Sequence, residues 1–238
     1  MSKSMTDIHQ HLFWGVDDGA KTQSEMYEML RQAHKQGITT VVATPHAIPG
    51  LEPLDLGLCR ERQAEAQHFC DQNGLEMKIY LGAEIAWTPQ TVLSLRQSHI
   101  PTLGDTDYVL LELWRDISWQ DAADAVRQLV GAGFCPVLAH PERYHAFVLS
   151  PKKVLQFREQ SGALLQINAG SLLKPGGILQ RRFINMLLKE HAIDAVATDA
   201  HGCSQRPINL LQAQKWLAAK TDRTYAEYVT NFNGMLTD

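Results

Sequence analysis

The chain has 238 residues, 45% hydrophobic and 20% charged, with a formal net charge of −4 and no Lys/Arg run longer than two. Length and composition fit one α/β domain with a substantial core. The acidic balance disfavours a long polynucleotide partner, which would want a basic stripe. The N-terminal MSKSMTDIHQ holds no apolar run of the kind that opens a signal peptide. No stretch approaches the roughly 20 apolar residues of a membrane span, so a cytoplasmic protein without membrane insertion is expected.

Short β-rich runs alternate with helical patterns along the chain. The first run, Thr6–His11, ends in DIHQH and is followed by GVDDGA. Thr22-Gln23-Ser24-Glu25 is a capping-box sequence, and Met26, Met29, Leu30 and Ala33 follow at helical spacing until Gly37. The second run, Thr39–Thr44, leads into Pro45-His46; the third is Met77–Glu84 and the fourth Tyr108–Leu113. Ser118 with Asp121 opens a helix that stops near Gly131 and Gly133, before the fifth run, Pro136–His140. Ser150-Pro151 opens another helix with proline in its first turn, and Gly162 closes it. Ala163–Asn168 and Ala192–Asp199 are the last two runs, and Thr224 with Glu227 is read as the cap of a final helix. No repeat, low-complexity segment or long linker divides the sequence, so residues 1–238 are expected to form a single domain.

Strand–helix alternation of this kind predicts an α/β fold with parallel strands. The strand cores VVAT, VLLEL, PVLAH and DAVAT are nearly continuous apolar runs, as expected when both faces are covered. Nearly every run ends in a polar side chain: His9 and His11, His46, Glu84, Glu112, His140, Asn168, then Asp199 with His201. In a closed barrel all these ends share one rim, where barrel enzymes place their chemistry. In an open sheet, ends far apart in strand order would not converge. The pattern therefore favours a barrel.

A lone histidine at a strand end is most often structural or exposed, but here five of the ten histidines fall at strand ends. His34, His68, His99, His145 and His191 lie elsewhere and carry no such signal. His9 and His11, one residue apart, point to the same face of a strand. With Asp17 or Asp18, His46, Glu84, His140, Asp199 and His201 they make about eight nitrogen and oxygen donors. One ion takes about three to five protein ligands, so the set implies two or three divalent ions. Without thiolate it suits manganese, iron or zinc. Glu84, flanked by Ala83 and Ile85, suits a bridging carboxylate.

Arg143 follows His140 by three residues and Arg206 follows His201 by five. Two guanidiniums beside a polynuclear site fit recognition of a phosphate's oxygens, which makes phosphoester hydrolysis the leading reaction. A cysteine nucleophile does not fit. Such an enzyme needs a loop of fixed length from cysteine to arginine. Cys203 precedes Arg206 by only three residues, and Cys135 precedes Arg143 by eight. The remaining cysteines, Cys59 and Cys70, show no metal-binding spacing.

DIHQH, GVDDGA, ATPH, GAEI, HPERY and TDAH, in that order from Thr6 to Arg206, resemble the polymerase-and-histidinol-phosphatase (PHP) superfamily. Within it they are most similar to the capsule and exopolysaccharide protein-tyrosine phosphatases of bacteria. The resemblance implies a distorted (β/α)7 barrel holding two to three divalent ions, manganese foremost. It implies His9, His11, Asp18, His46, Glu84, His140, Asp199 and His201 as ligands, and Arg143 and Arg206 as the phosphate-binding pair. Glu112 would be a further ligand or an acid. The implied reaction is attack on phosphorus by a metal-activated hydroxide without a phosphoenzyme. The implied substrate is the phosphotyrosine-bearing tail of a bacterial tyrosine kinase that regulates polysaccharide synthesis. The rival is a small-molecule phosphomonoesterase of the histidinol-phosphatase type. Phe13 and Trp14 stand where smaller residues are usual, either packed beneath the rim or walling the pocket for a phenyl ring.

Overall fold

The computed structural model describes residues 4–232. β1 (Met5–Gln10) is followed by α1 (Gln23–Lys35), β2 (Ile38–Ala43), the short β3 (His46–Ala47) and α2 (Leu56–Gln72). Next come β4 (Lys78–Leu81), β5 (Glu84–Ala86), α3 (Thr91–Arg96), β6 (Tyr108–Glu112), α4 (Trp119–Gly131) and β7 (Cys135–Ala139). Then follow α5 (His145–Leu149), α6 (Pro151–Ser161), β8 (Leu164–Asn168), α7 (Ala169–Leu173) and α8 (Ile178–Lys189). β9 (Ala195–Ala197), α9 (Leu210–Lys220) and α10 (Arg223–Val229) come last. None of the described helices is long and apolar enough to cross a membrane.

All named strand pairs are parallel, in the orders β1-β2-β4 and β3-β5-β6-β7-β8-β9. The two sheets are one surface, because β2 runs on into β3 and β4 into β5. Gly82 N donates to Ala43 O (2.8 Å) and Glu84 N to Pro45 O (3.1 Å) across the break. At the opposite edges β1 meets the end of β9: Asp199 N donates to His9 O (2.8 Å) and His11 N to Ala200 O (2.9 Å). Asp7 reinforces this seam, its carboxylate accepting from Thr198 N (2.9 Å), Thr198 Oγ1 (2.5 Å) and Gln10 Nε2 (3.1 Å). With β2/β3 and β4/β5 each taken as one broken stave, the strands make the expected distorted (β/α)7 barrel.

The interior is packed, not hollow. Ile8, Val42, Leu110, Val137, Ala139, Ala195 and Ala197 fill it, and Leu103 and Phe232 join the same cluster. Phe232 meets the ring of Tyr108, at the start of β6, edge-on at 5.3 Å, which places it at the amino-terminal end of the barrel. A larger shell of aliphatic and aromatic side chains lies between strands and helices. The carboxyl-terminal rim is thereby left to the polar residues.

Local signals act mostly as the sequence suggests. Thr22 Oγ1 accepts from Glu25 N (3.2 Å), and Ser118 Oγ accepts from Asp121 N (3.1 Å). Gly162 ends α6 at φ 72°, a left-handed geometry that glycine adopts at little cost. Two readings are corrected. The run expected over Met77–Glu84 is two strands, because the chain breaks at Gly82, where a Cβ would lie 2.9 Å from Val42 Cγ1. The last helix is capped by Asp222, whose Oδ1 accepts from Tyr225 N (2.9 Å), not by Thr224. Glu227 bonds Arg223 Nε (2.7 Å).

Candidate metal centre

The parallel strands carry the polar tips to one place. His9 lies in β1 and His11 just beyond it, His46 opens β3, Glu84 opens β5 and Glu112 closes β6. His140 follows β7 directly, and Asp199 and His201 follow β9. Glu84 is the hub. Its Oε2 lies 3.2 Å from both His9 Nε2 and His11 Nε2 and 3.1 Å from His46 Nδ1, while Oε1 lies 2.6 Å from His140 Nε2. Asp199 Oδ1 is 3.4 Å from His9 Nε2 and 3.5 Å from His11 Nε2. Asp18 Oδ1 is 3.3 Å from His46 Nε2 and 3.2 Å from His201 Nε2.

Three interlocking donor groups result: His11, Asp18, His46 and His201; His9, His11, Glu84 and Asp199; His46, Glu84 and Glu112. Within each group the donor atoms lie within 4.8 Å of one another. Atoms bonded to a common ion at about 2.0–2.2 Å sit roughly 3–3.6 Å apart, the range of the spacings above except the 2.6 Å hydrogen bond between Glu84 Oε1 and His140 Nε2. Asp199 Oδ1, His140 Nδ1 and His201 Nε2 are buried with no hydrogen bond, which a native interior tolerates only where something else satisfies them. Such a donor set suits divalent ions.

Electrostatics point the same way. Burial works to raise the Glu84 and Asp199 carboxyls, yet the surrounding imidazoles hold both well below the usual carboxylate range, with Arg143 also acting on Asp199. Burial likewise opposes charge on His9 and His11, but Glu84 and Asp199, with Asp17 on His11, push both pKa values up. Burial and the neighbouring His11 lower His201 to about 4. Burial also lowers His140. The carboxylates thus favour charge on His9 and His11, while burial favours the neutral form of His140 and His201.

Several residues that periodicity alone does not mark hold this arrangement. Asp17 Oδ2 accepts from His11 Nδ1 (2.6 Å) and from His46 N (3.1 Å), and its Oδ1 accepts from Gly19 N (2.9 Å). It supports the turn, as its position before Gly19 suggests, and also aims His11. A Cβ at Gly19 would fall 2.1 Å from His11 O, so this turn requires glycine. Gln166 Oε1 accepts from His9 Nδ1 (2.9 Å), leaving Nε2 to face Glu84 and Asp199. Tyr144 ties two staves, its hydroxyl accepting from Leu113 N (3.0 Å) and donating to Ala139 O (2.5 Å).

Arg143 Nη2 (2.7 Å), Arg206 Nη2 (2.5 Å) and Asn168 Nδ2 (2.6 Å) converge on Asp199 Oδ2. All four residues line one pocket of about 330 Å³. Each arginine spends one donor on Asp199 and keeps others for a ligand. Glu112 lies 3.9 Å from His140 Nε2, and burial together with Glu84 raises its carboxyl to about 7. Phe13 is buried in the outer core. Trp14 donates to Glu65 Oε2 (3.0 Å) and lies under the Arg62 guanidinium at 3.7 Å, so both residues are engaged by packing against α2 or the core. His34, His68, His99, His145 and His191 lie outside the three donor groups, and so does His140, expected as a ligand, which reaches the cluster through its 2.6 Å hydrogen bond to Glu84 Oε1.

Comparison with known proteins follows the same line. The chain is 31% identical over 209 residues to the tyrosine-protein phosphatase YwqE of Bacillus subtilis, covering 88% of this chain and 82% of that one. It is 30% identical over 216 residues to the tyrosine-protein phosphatase CpsB of Streptococcus agalactiae, covering 89% and 88%. The solved structures of YwqE from Bacillus subtilis and CpsB from Streptococcus pneumoniae, described as metal-dependent tyrosine phosphatases, are matched with a TM-score of 0.87. That match has 29% identity and covers 98% of this chain and 94% of the other. A histidinol phosphate phosphatase from Lactococcus lactis is matched at 15% identity with a TM-score of 0.59, covering 91% and 93%, a likeness of fold. The model of the capsular polysaccharide synthesis family CpsB/CapC matches residues 5–236, and the chain belongs to that family.

Proposed function

We propose that this chain is a metal-dependent protein-tyrosine phosphatase, formed as a single domain, that acts on the phosphotyrosine-bearing tail of a bacterial tyrosine kinase in capsule or exopolysaccharide synthesis. The observation that carries the reading is that two arginines converge on Asp199, itself a member of one of three interlocked donor groups. His9, His11, Asp18, His46, Glu84, His140, Asp199 and His201 would hold two to three divalent ions, manganese by preference, with Glu112 completing the third group. Ions held there would supply Lewis acidity toward phosphate oxygens, toward an attacking water and toward the leaving oxygen.

The chain's own residues supply the rest. Arg143 and Arg206 present guanidinium donors to the phosphate from one wall of the pocket, pre-aimed by Asp199, so no reorganisation is needed as charge builds on the oxygens. Asn168 holds Asp199 from the third side. Gln166 and Asp17 fix the tautomers of His9 and His11, keeping both Nε2 atoms aimed inward. Tyrosine is a good leaving group, with a phenol pKa of about 10, so departure of its oxygen needs little help from an acid.

With manganese added, rates on a phosphotyrosine peptide should exceed those on histidinol phosphate. Preference for the small metabolite would overturn the assignment. Arg143→Ala should lower kcat/KM on the peptide by about 100-fold; an unchanged value would remove Arg143 from the site.

A further inference from the structure

A second cleft, of about 620 Å³, lies between α7, α8 and α9. Only one stretch of chain separates it from the phosphate pocket. Leu173 and Pro175 line the outer cleft while Lys174 and Gly176 line the pocket, and Arg181 faces the former while Gln180 faces the latter. Its walls combine apolar side chains such as Leu172, Ile184 and Trp216 with the cations Arg181, Lys189 and Lys220. Among the described residues none of those three cations has a carboxylate partner.

The charge is regional. Residues 169–221 hold seven Lys or Arg against three Asp or Glu, a net of +4 in a chain whose total is −4. Two of the three acids are already taken, Asp194 by Arg158 and Asp199 by Arg143 and Arg206. Lys189 and Lys220 sit in the last turns of α8 and α9, where a cation also complements the helix dipole. That account fails for Arg181 and Arg182. They stand in and just beyond the first turn of α8, where the dipole disfavours a cation, and that turn has no acidic residue. Beside them Ile178 and Leu179 are 84% and 48% exposed. Cations placed against local preference, next to bare aliphatic side chains, mark a surface shaped for something outside the chain.

We propose that this cleft docks the polypeptide flanking the phosphotyrosine, selecting a segment that carries both acidic and apolar side chains. The proposal rests on the phosphatase reading for its substrate. Its chemistry, an anionic peptide on an unpaired cationic and apolar wall, comes from the cleft itself. A peptide whose phosphate sits between Arg143 and Arg206 need only cross the 173–177 segment to reach Arg181 and Trp216. The cleft would therefore contribute to KM and to the choice among tyrosine sites, not to the chemical step.

The test uses the double charge reversal Arg181→Glu/Lys220→Glu, both exposed positions. Kinetics are compared on p-nitrophenyl phosphate, on a phosphotyrosine peptide with neutral flanks and on one with acidic and leucine flanks. The variant should raise KM for the acidic peptide about tenfold, leaving its kcat and both other substrates unchanged. An unchanged KM, or an equal rise for both peptides, overturns the proposal. Fluorescence anisotropy with the unphosphorylated acidic peptide and metal-free protein needs no turnover, so it separates failure of the cleft from failure of the phosphatase reading. Binding by the parent that is lost in the variant supports the cleft; no binding by the parent overturns it. Co-sedimentation with phosphatidylglycerol vesicles that the variant loses, alongside unaltered peptide kinetics, would assign the surface to a membrane and also overturn it.

Discussion

Glu142 illustrates what a single side chain costs this site. It is 2% exposed, one oxygen accepts from Asn168 N (3.1 Å), and the other has no hydrogen bond. Burial raises its carboxyl from 4.5 to about 7. Below pH 4.5 folded and unfolded chains both hold the proton and nothing is lost. Between 4.5 and 7 the unfolded chain ionises while the folded one does not, so stability falls as pH rises, and above 7 the full cost of about 3 kcal/mol is present. Metal-free Glu142→Gln should therefore be more stable than the parent by about 2–3 kcal/mol at pH 8, with the gap closing by pH 4.5. Urea unfolding at the two pH values measures it, and a gap independent of pH would refute burial of the carboxyl as its cause. At this scale the convergence of the candidate donors was legible because polar side chains interrupt apolar strand runs at their ends. Their supports were legible only in part: the position of Asp17 before Gly19 marks it for the turn, but its hold on His11 does not show. Asp17 and Asp18 are adjacent and chemically identical, yet Asp17 is 8% exposed and braces His11 while Asp18 is 60% exposed and faces His46 and His201. Gln166 reads as an ordinary polar residue within a strand, and only the fold brings His9 to it.

Among the elements, the closing of the barrel rests on little backbone. Beyond the Gln10–Ala200 bridge, Asp7 gathers donors from Thr198 and Gln10 into the joint between first and last staves. Asp7→Ala would leave those donors buried and unpaired, at a cost of about 3 kcal/mol. Hydrogen exchange should show the His11 and Asp199 amides losing protection ahead of the amides joining β6 to β7. Uniform loss across the barrel would mean that the seam is no weaker than the other staves. Element by element, helices with strong caps and the continuous apolar strands could be read from sequence. α2 could not, because its helical face buries only Cys59, Ala66, Phe69 and Cys70 among many polar residues. The break at Gly82 was equally hidden, since the reason for it is a contact with Val42 on another stave. Asp222 rather than Thr224 caps α10 for a local reason: the helix begins two residues earlier, which puts Thr224 inside its first turn.

For the whole molecule, the closed seam and the proposed ligands coincide. His9 and His11 stand on the first stave, Asp199 and His201 beyond the last, and the Asp7–Thr198 bond alone joins residues 191 apart in sequence. Manganese at about a hundredfold over its dissociation constant should stabilise the native state by about 2.7 kcal/mol. In a chain of this length that raises Tm by roughly 5–10 °C, and a chelator should reverse it. A Tm indifferent to both would separate the ions from the fold. An ion held jointly by His9 and Asp199 would do more than serve chemistry. It would act as a removable clasp between the two extremities of the sheet, so that stripping the ions leaves a barrel able to open like a ribbon at one edge. Protease resistance of the folded chain would then report the ions it carries.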